Sequence, residues 1–215
     1  MTPKEMFKRM LTEDIAPLFK VRGYRKKNAT FVRESKEVIQ IINFRASSYN
    51  LPDYYTFSIE IALFSEPYFS ALNLNKPTSW FSYQSYRPII ETSLMYLNHK
   101  KEGTHFPDCH ITESTDISAL SEKIKSKLET LVFPYVENIN STNDIIVEIE
   151  RQVSEEDTGT RVAQYDLIPL YCIIGNRSKA EEALVYAWNR KISNPHYTKL
   201  LKDFTQKLGL SVLPD

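Results

Sequence analysis

Apolar residues in the first twenty positions recur at helical spacing. Met6, Phe7, Met10, Leu11, Ile15, Leu18 and Phe19 share one face, as residues three and four apart do on a 3.6-residue turn. Thr2-Pro3-Lys4-Glu5 reads as a capping box: Thr2 accepts from a free N–H, Pro3 loses nothing at the first helical position and Glu5 reaches back. Gly23 suits the left-handed residue that ends a helix. The period then changes to two. Tyr55, Phe57, Ile59, Ile61 and Leu63 alternate with Thr56, Ser58, Glu60 and Ala62, which predicts a strand over 54–64 with one buried and one largely polar face. Strands over 29–35 and 37–46 are predicted ahead of it. Phe31 and Val32 take opposite sides of the first. In the second, Val38, Gln40, Ile42 and Phe44 share a face, and Ile39, Ile41, Asn43 and Arg45 share the other; apolar residues on both faces place that strand inside the sheet. A helix followed by adjacent strands predicts an α+β layer, in which helices cover one face of a mainly antiparallel sheet of about four or five strands and the other face is free.

The pattern breaks over 65–90. Pro67, Pro77 and Pro88 punctuate a stretch that carries six aromatics from Tyr68 to Tyr86, a connection long enough to suggest function. Residues 89–97 read as a strand or a short helix, the helix being preferred, with a turn at Glu102-Gly103, and 105–112 as a strand with Pro107 marking an edge or a bulge. Asp116 or Ser118 caps a helix with the stripe Ile117, Leu120, Ile124, Leu128 and Leu131, and Pro134 lies near its end. Ser141 with Asp144 caps another. The polar, acidic run 154–160 is the internal boundary. Beyond it three helices are expected: 162–174, kinked at Pro169, a second capped by Ser178 and a third opening at Asn194-Pro195. The predicted organisation is a sheet domain over 1–138 and a helical extension over 141–213.

Composition narrows the function classes. At 215 residues a chain can bury roughly 70% of its unfolded surface and needs no staples. Lys and Arg number 27, as do Asp and Glu; this balance argues against a broad nucleic-acid footprint, so nucleic acid ranks below protein as a partner. Thirteen Tyr and eleven Phe against five Gly favour a rigid aromatic core. Cys109 and Cys172 are the two cysteines, too few for a zinc-ribbon set. No apolar run approaches the roughly 18 residues that span a membrane, and the N-terminus lacks a signal-peptide run. The expectation is a soluble cytoplasmic protein with no cofactor and no membrane contact.

The run Phe7…Leu18…Gly23-Tyr24-Arg25-Lys26-Lys27…Thr30-Phe31…Arg33, followed by Val38-Ile39-Gln40-Ile41-Ile42-Asn43-Phe44, resembles the opening of an uncharacterised bacterial family, domain of unknown function 4304. The helix from Asp116 to Tyr135, with its Phe133-Pro134 end, is similar to that family's closing helix. The resemblance covers about residues 4–138 and implies a small α+β fold with no assigned activity; an immunity-type role is one suggestion for such families. The aromatic insert departs from the family pattern. Ile174-Gly175-Asn176…Ala180…Ala183-Leu184…Ala187 also resembles a single tetratricopeptide hairpin within about 162–190.

Four groups are candidate sites, each set against a plainer reading. Lys20, Arg22, Arg25, Lys26 and Lys27 could hold phosphate, but cations also suit a helix C-terminus. His105, Asp108, Cys109 and His110, with His99 upstream, match no zinc spacing, so no metal is assigned. Arg33, Asn43, Arg45, Ser58 and Glu60 could form a polar sheet face on which arginines grip an anionic ligand; the plainer reading is a solvated face with Arg–Glu pairing. Tyr68, Phe69, Trp80, Phe81, Tyr83 and Tyr86 could form a partner-binding surface, or a flap that fills core. G-x-S-x-G, G-x-x-x-x-G-K and H-E-x-x-H are absent from the sequence, and no catalytic residue is assigned. The expected function is non-catalytic binding of a protein partner, an immunity-type protein being one form. The alternative is an enzyme or small-ligand sensor that binds an anion on the polar sheet face.

Overall fold

The capping box forms as predicted. The Glu5 amide donates to Thr2 Oγ1 at 3.3 Å and the Thr2 amide to Glu5 Oε2 at 2.8 Å, opening α1 (Pro3–Met10) in a computed structural model that describes residues 1–104, 109–155, 161–191 and 194–211. The helix runs on through a π turn (Leu11–Ile15) into α2 (Ala16–Lys20). Pro17 supplies the reason. It has no N–H for the carbonyl of Glu13, and its ring would strike that carbonyl in a regular α turn; the wider turn removes the clash.

Gly23, at φ 79°, turns the chain into β1 (Arg25–Lys27), β2 (Thr30–Glu34), β3 (Val38–Ala46) and β4 (Tyr54–Ser65). Asn28, at φ 53°, makes the tight β1–β2 turn, where Asn tolerates the left-handed region. The insert follows as α3 (Glu66–Ala71) and a 3₁₀ turn (Trp80–Ser85), then β5 (Ile90–Ser93), α4 (Leu94–Glu102) and β6 (Cys109–Thr112). Next come α5 (Ile117–Lys127), a second π turn (Leu128–Val132) and α6 (Phe133–Glu137). Pro134 stands six residues after Leu128, just as Pro17 stands six after Leu11. The remainder is α7 (Thr142–Ser154), β7 (Arg161–Val162), a 3₁₀ turn (Gln164–Asp166), α8 (Leu167–Ile173), α9 (Arg177–Lys191) and α10 (Pro195–Leu208).

The architecture is α+β. One antiparallel sheet runs β1-β2-β3-β4-β5-β7, and β6 pairs with the first residues of β4 while β5 pairs with the later ones. That makes seven strands among the described residues, more than expected, because three-residue β1 and two-residue β7 are too short to show alternation. Residues 89–97 are not one helix: β5 switches to α4 at Ser93, whose hydroxyl accepts from the Tyr96 amide at 3.2 Å. Gly103, at φ 68°, closes α4. Residues 162–174 are not one kinked helix either. Pro169 falls in the first turn of α8, where backbone N–H groups lack helical partners, and no bend follows. The first turn of α9 is satisfied by Asn176, whose Oδ1 accepts from Lys179 N at 3.2 Å, and not by Ser178.

The larger core lies between the sheet and the helices. Phe31, Ile42, Phe44, Phe57, Ile59 and Ile61 meet Phe7, Phe19 and Phe133 there, and Phe19 stacks on Phe31 with centroids 3.9 Å apart. Gln40 is a buried polar residue on this face, only 1% exposed. Its Nε2 donates to the carbonyls of Val136 (2.7 Å) and Ile139 (3.0 Å), and its Oε1 accepts from the Tyr24 hydroxyl (2.7 Å) and Arg33 Nε (2.9 Å). Carbonyls at a helix C-terminus have no partner within the helix, so Gln40 ties the end of α6 to the sheet.

The opposite face is not free. Val32, Ile39, Ile41, Ala62 and Phe64 form a second core under Phe69, Trp80 and Tyr83 of the insert. Cover thins where the sequence turns polar: Asn43 is still buried, Glu60 is half-buried, and Arg45 and Ser58 are exposed. Later in the chain, β7 pairs with β5, and Ile168, Leu170, Leu184 and Trp188 of α8 and α9 belong to the larger core. Among the described residues, no helix is long and apolar enough to cross a membrane.

Candidate functional site

Strand register divides the predicted polar face. Arg33 lies opposite Gln40, on the helix-covered side, where it gives its Nε–H to Gln40 and sits 5.2 Å from the Tyr24 ring centroid. Asn43 lies opposite Glu60 and Arg45 opposite Ser58, so these four do share the other face. They largely satisfy one another. Arg45 Nη1 is 3.2 Å from Glu60 Oε1, the Ser58 hydroxyl donates to the same oxygen at 3.3 Å, and Asn43 Oδ1 accepts from Thr30 at 3.0 Å. Tyr83 stands beside them; burial and then Glu60 push its hydroxyl up to about 12, against a bond to Asn43. A shallow depression of about 440 Å³, edged by Arg45, Tyr49 and Glu60, marks this end of the sheet.

The aromatic insert fills core. Tyr68, Phe69, Trp80 and Tyr83 are buried, and Phe81 and Tyr86 are half-buried at its margin. Trp80 packs 5.1 Å from Phe64 and edge-on to Phe69 at 5.6 Å. The basic cluster decorates β1 and the end of α2. Arg25 pairs with Glu34, Arg22 lies 4.1 Å over Phe133, and Lys26 reaches Thr12 at 3.4 Å. Cations on the outermost strand also discourage edge-to-edge pairing. Of the His–Cys cluster, His105 and Asp108 lie outside the described residues. Cys109 is buried on β6, and His110 points to the other face and stacks on Tyr54 at 5.8 Å. Among the described residues, no three His, Cys, Asp or Glu side chains come together as a metal site.

A buried charged network lies elsewhere. Asp166, at the end of the 3₁₀ turn before α8, has no exposed surface. Its Oδ2 accepts from Arg87 Nη1 at 2.8 Å, and its Oδ1 accepts from Arg87 Nη2 at 2.5 Å and from the Tyr68 hydroxyl at 2.7 Å. Burial pushes the Asp166 carboxyl up from the usual range, against the bonds from Arg87 and Tyr68. Burial also works against the charge on Arg87, and Asp166 more than restores it. Burial first, then Asp166, raises the Tyr68 hydroxyl far above its ordinary range. The Arg87 guanidinium lies 5.3 Å from the Tyr165 ring centroid. Above this network a cleft of about 450 Å³ opens between the insert and α10. Leu72, Ile89, Leu200 and Phe204 supply apolar wall, while Arg87, His196 and Asp203 supply polar groups.

Family membership places this cleft within the chain. Residues 15–138 match the family described as Domain of unknown function (DUF4304). The chain belongs to that family. No curated protein and no solved structure matches it. The DUF4304 segment contributes Tyr68, Leu72, Arg87 and Ile89 to the cleft, whereas Asp166, His196, Leu200, Asp203 and Phe204 come from residues beyond it. Sequence reasoning passed over both Arg87 and Asp166. The available signal was an acidic residue heading the apolar run Leu167-Ile168-Pro169-Leu170, since a carboxylate in such a setting needs a cationic partner.

Proposed function

We propose that this is a non-catalytic binding protein and that the cleft between the insert and α10 is its recognition site, taking a short segment of a protein partner. The network of Arg87, Asp166 and Tyr68 carries this reading. Both carboxylate oxygens of Asp166 are engaged by neighbours, which commits the group to holding the wall in shape and not to moving a proton. An apolar cleft with a few fixed polar groups is the ordinary make-up of a ligand site. His196, Leu200, Asp203 and Phe204 fall along one stripe of α10, so the trough runs about 12 Å beside that helix, the span of roughly three or four extended residues. Anion binding on the sheet face has less support, because Arg33 lies on the opposite side and Arg45 is already paired with Glu60. Cys109 and Cys172 are thiols, which fits a reducing compartment such as the cytoplasm.

A phage-displayed library of random seven-residue peptides, selected on the intact protein, tests this. Ser85 is exposed at the cleft, so Ser85→Trp plugs the trough without disturbing buried side chains. Enriched peptides are expected to bind the wild type and to lose binding to the plugged variant. Peptides that bind both equally, or a selection that enriches nothing, would overturn the proposal.

A further inference from the structure

We infer that the cleft selects segments carrying a carboxylate and that Arg87 is the residue that reads it; this rests on the recognition cleft proposed above. Arg87 and Asp166 form an ion pair with a direction. The Asp166 side chain has no exposed surface, whereas that of Arg87 keeps 39%, so the positive end of the pair faces the cleft and the negative end is sealed beneath it. Two of the five guanidinium N–H donors are engaged by Asp166, and the exposed remainder of the group lines the cleft. Asp203, the acidic group on the α10 wall, is paired with Lys207 at 3.0 Å, which reduces its repulsion of an incoming anion. Leu72, Ile89 and Leu200 line the same cleft with apolar surface, and beside such surface a charge-assisted hydrogen bond is stronger than in open water. Asp166 acts through Arg87 as a positioning residue. It uses two of the N–H groups and so holds the planar fork in one orientation.

The occupant that fits is therefore a peptide segment with an Asp, a Glu or a free C-terminus beside an apolar side chain. Peptides from the selection are compared in pairs by fluorescence anisotropy, each Asp or Glu against the matching Asn or Gln. On the wild type the amide form is expected to bind about tenfold or more weakly. In the double variant Arg87→Gln/Asp166→Asn, which leaves no unpaired charge in the interior, the two forms are expected to bind within about twofold of each other. Should the double variant fail to fold, Arg87→Lys serves: it keeps the charge but loses the fork, and is expected to weaken acidic peptides more than their amides. Peptides blocked by Ser85→Trp but indifferent to the acid would overturn this inference and leave the recognition cleft standing. A selection with no blocked peptides would overturn both.

Discussion

Arg87 and Asp166 are 79 residues apart in the chain and share two hydrogen bonds. One closes the aromatic insert and the other precedes α8, so this ion pair is one of the contacts that join the DUF4304 segment to the residues beyond it. The two ends are unequal in exposure, 39% against none, and their loss is expected to be unequal too. Arg87→Gln leaves a wholly buried carboxylate without its cation and is expected to destabilise the fold by about 3–5 kcal/mol. Asp166→Asn leaves a guanidinium that still reaches water, so about 1–3 kcal/mol is expected. Urea midpoints of the two variants check the order, and a reversed order would refute it. Arg45→Ala breaks a far more exposed pair and is expected to change stability by less than about 1 kcal/mol.

Gln40→Leu is expected to destabilise by about 2–4 kcal/mol, because it strands the carbonyls of Val136 and Ile139 as well as the Tyr24 hydroxyl. Hydrogen exchange at residues 133–139 is expected to accelerate more than exchange at residues 3–10. Equal acceleration at both would show that Gln40 does not anchor α6.

Trp80→Ala opens the second core. Loss of this ring from between Phe64 and Phe69 is expected to cost about 3–5 kcal/mol and to increase binding of an apolar dye. A variant of wild-type stability would show instead that the insert is a detachable surface loop.

The start of α7 is expected to weaken in acid. Burial opposes ionisation of Asp144, but the amides of Asn140 and Ser141 and the Ser141 hydroxyl outweigh it and hold this carboxyl below its usual value of 3.8. A carboxyl depressed on folding stabilises the fold fully above its unfolded value, and that contribution disappears as the pH falls through the folded one. Acid titration of stability below about pH 4 is expected to be shallower in Asp144→Asn than in the wild type, and the variant is expected to lose about 0.5–2 kcal/mol at neutral pH. Identical acid limbs would refute the assignment.

Local chemistry was readable where neighbours in sequence are neighbours in space. Thr2 with Glu5, Ser141 with Asp144 and the alternation of Tyr55 through Leu63 each carry their own structural instruction. Apolar residues on both faces of β3 were a mark of the second cover, but taken as the sign of an interior strand they left that face expected free; the covering segment depends on contacts between residues 32–41 and 69–83. Arg33 shares parity with Phe31, and strand alternation alone puts it on the helix side. The π turns left only an indirect mark, a proline where a regular turn cannot admit one. The cleft was hidden most completely: Arg87 reads as loop and Asp166 as part of a helix over 162–174 until tertiary contact joins them.

The strand pairing also sets an order of assembly. The meander from β1 to β4 closes through neighbours in sequence, whereas the Arg87–Asp166 contact must close a loop of 79 residues, and loop-closure entropy rises with length. On a ribosome that has released the meander but not α10, the sheet can already exist while its cleft has one wall. The binding surface then matures after the sheet, and a nascent chain gains it only once α10 has emerged.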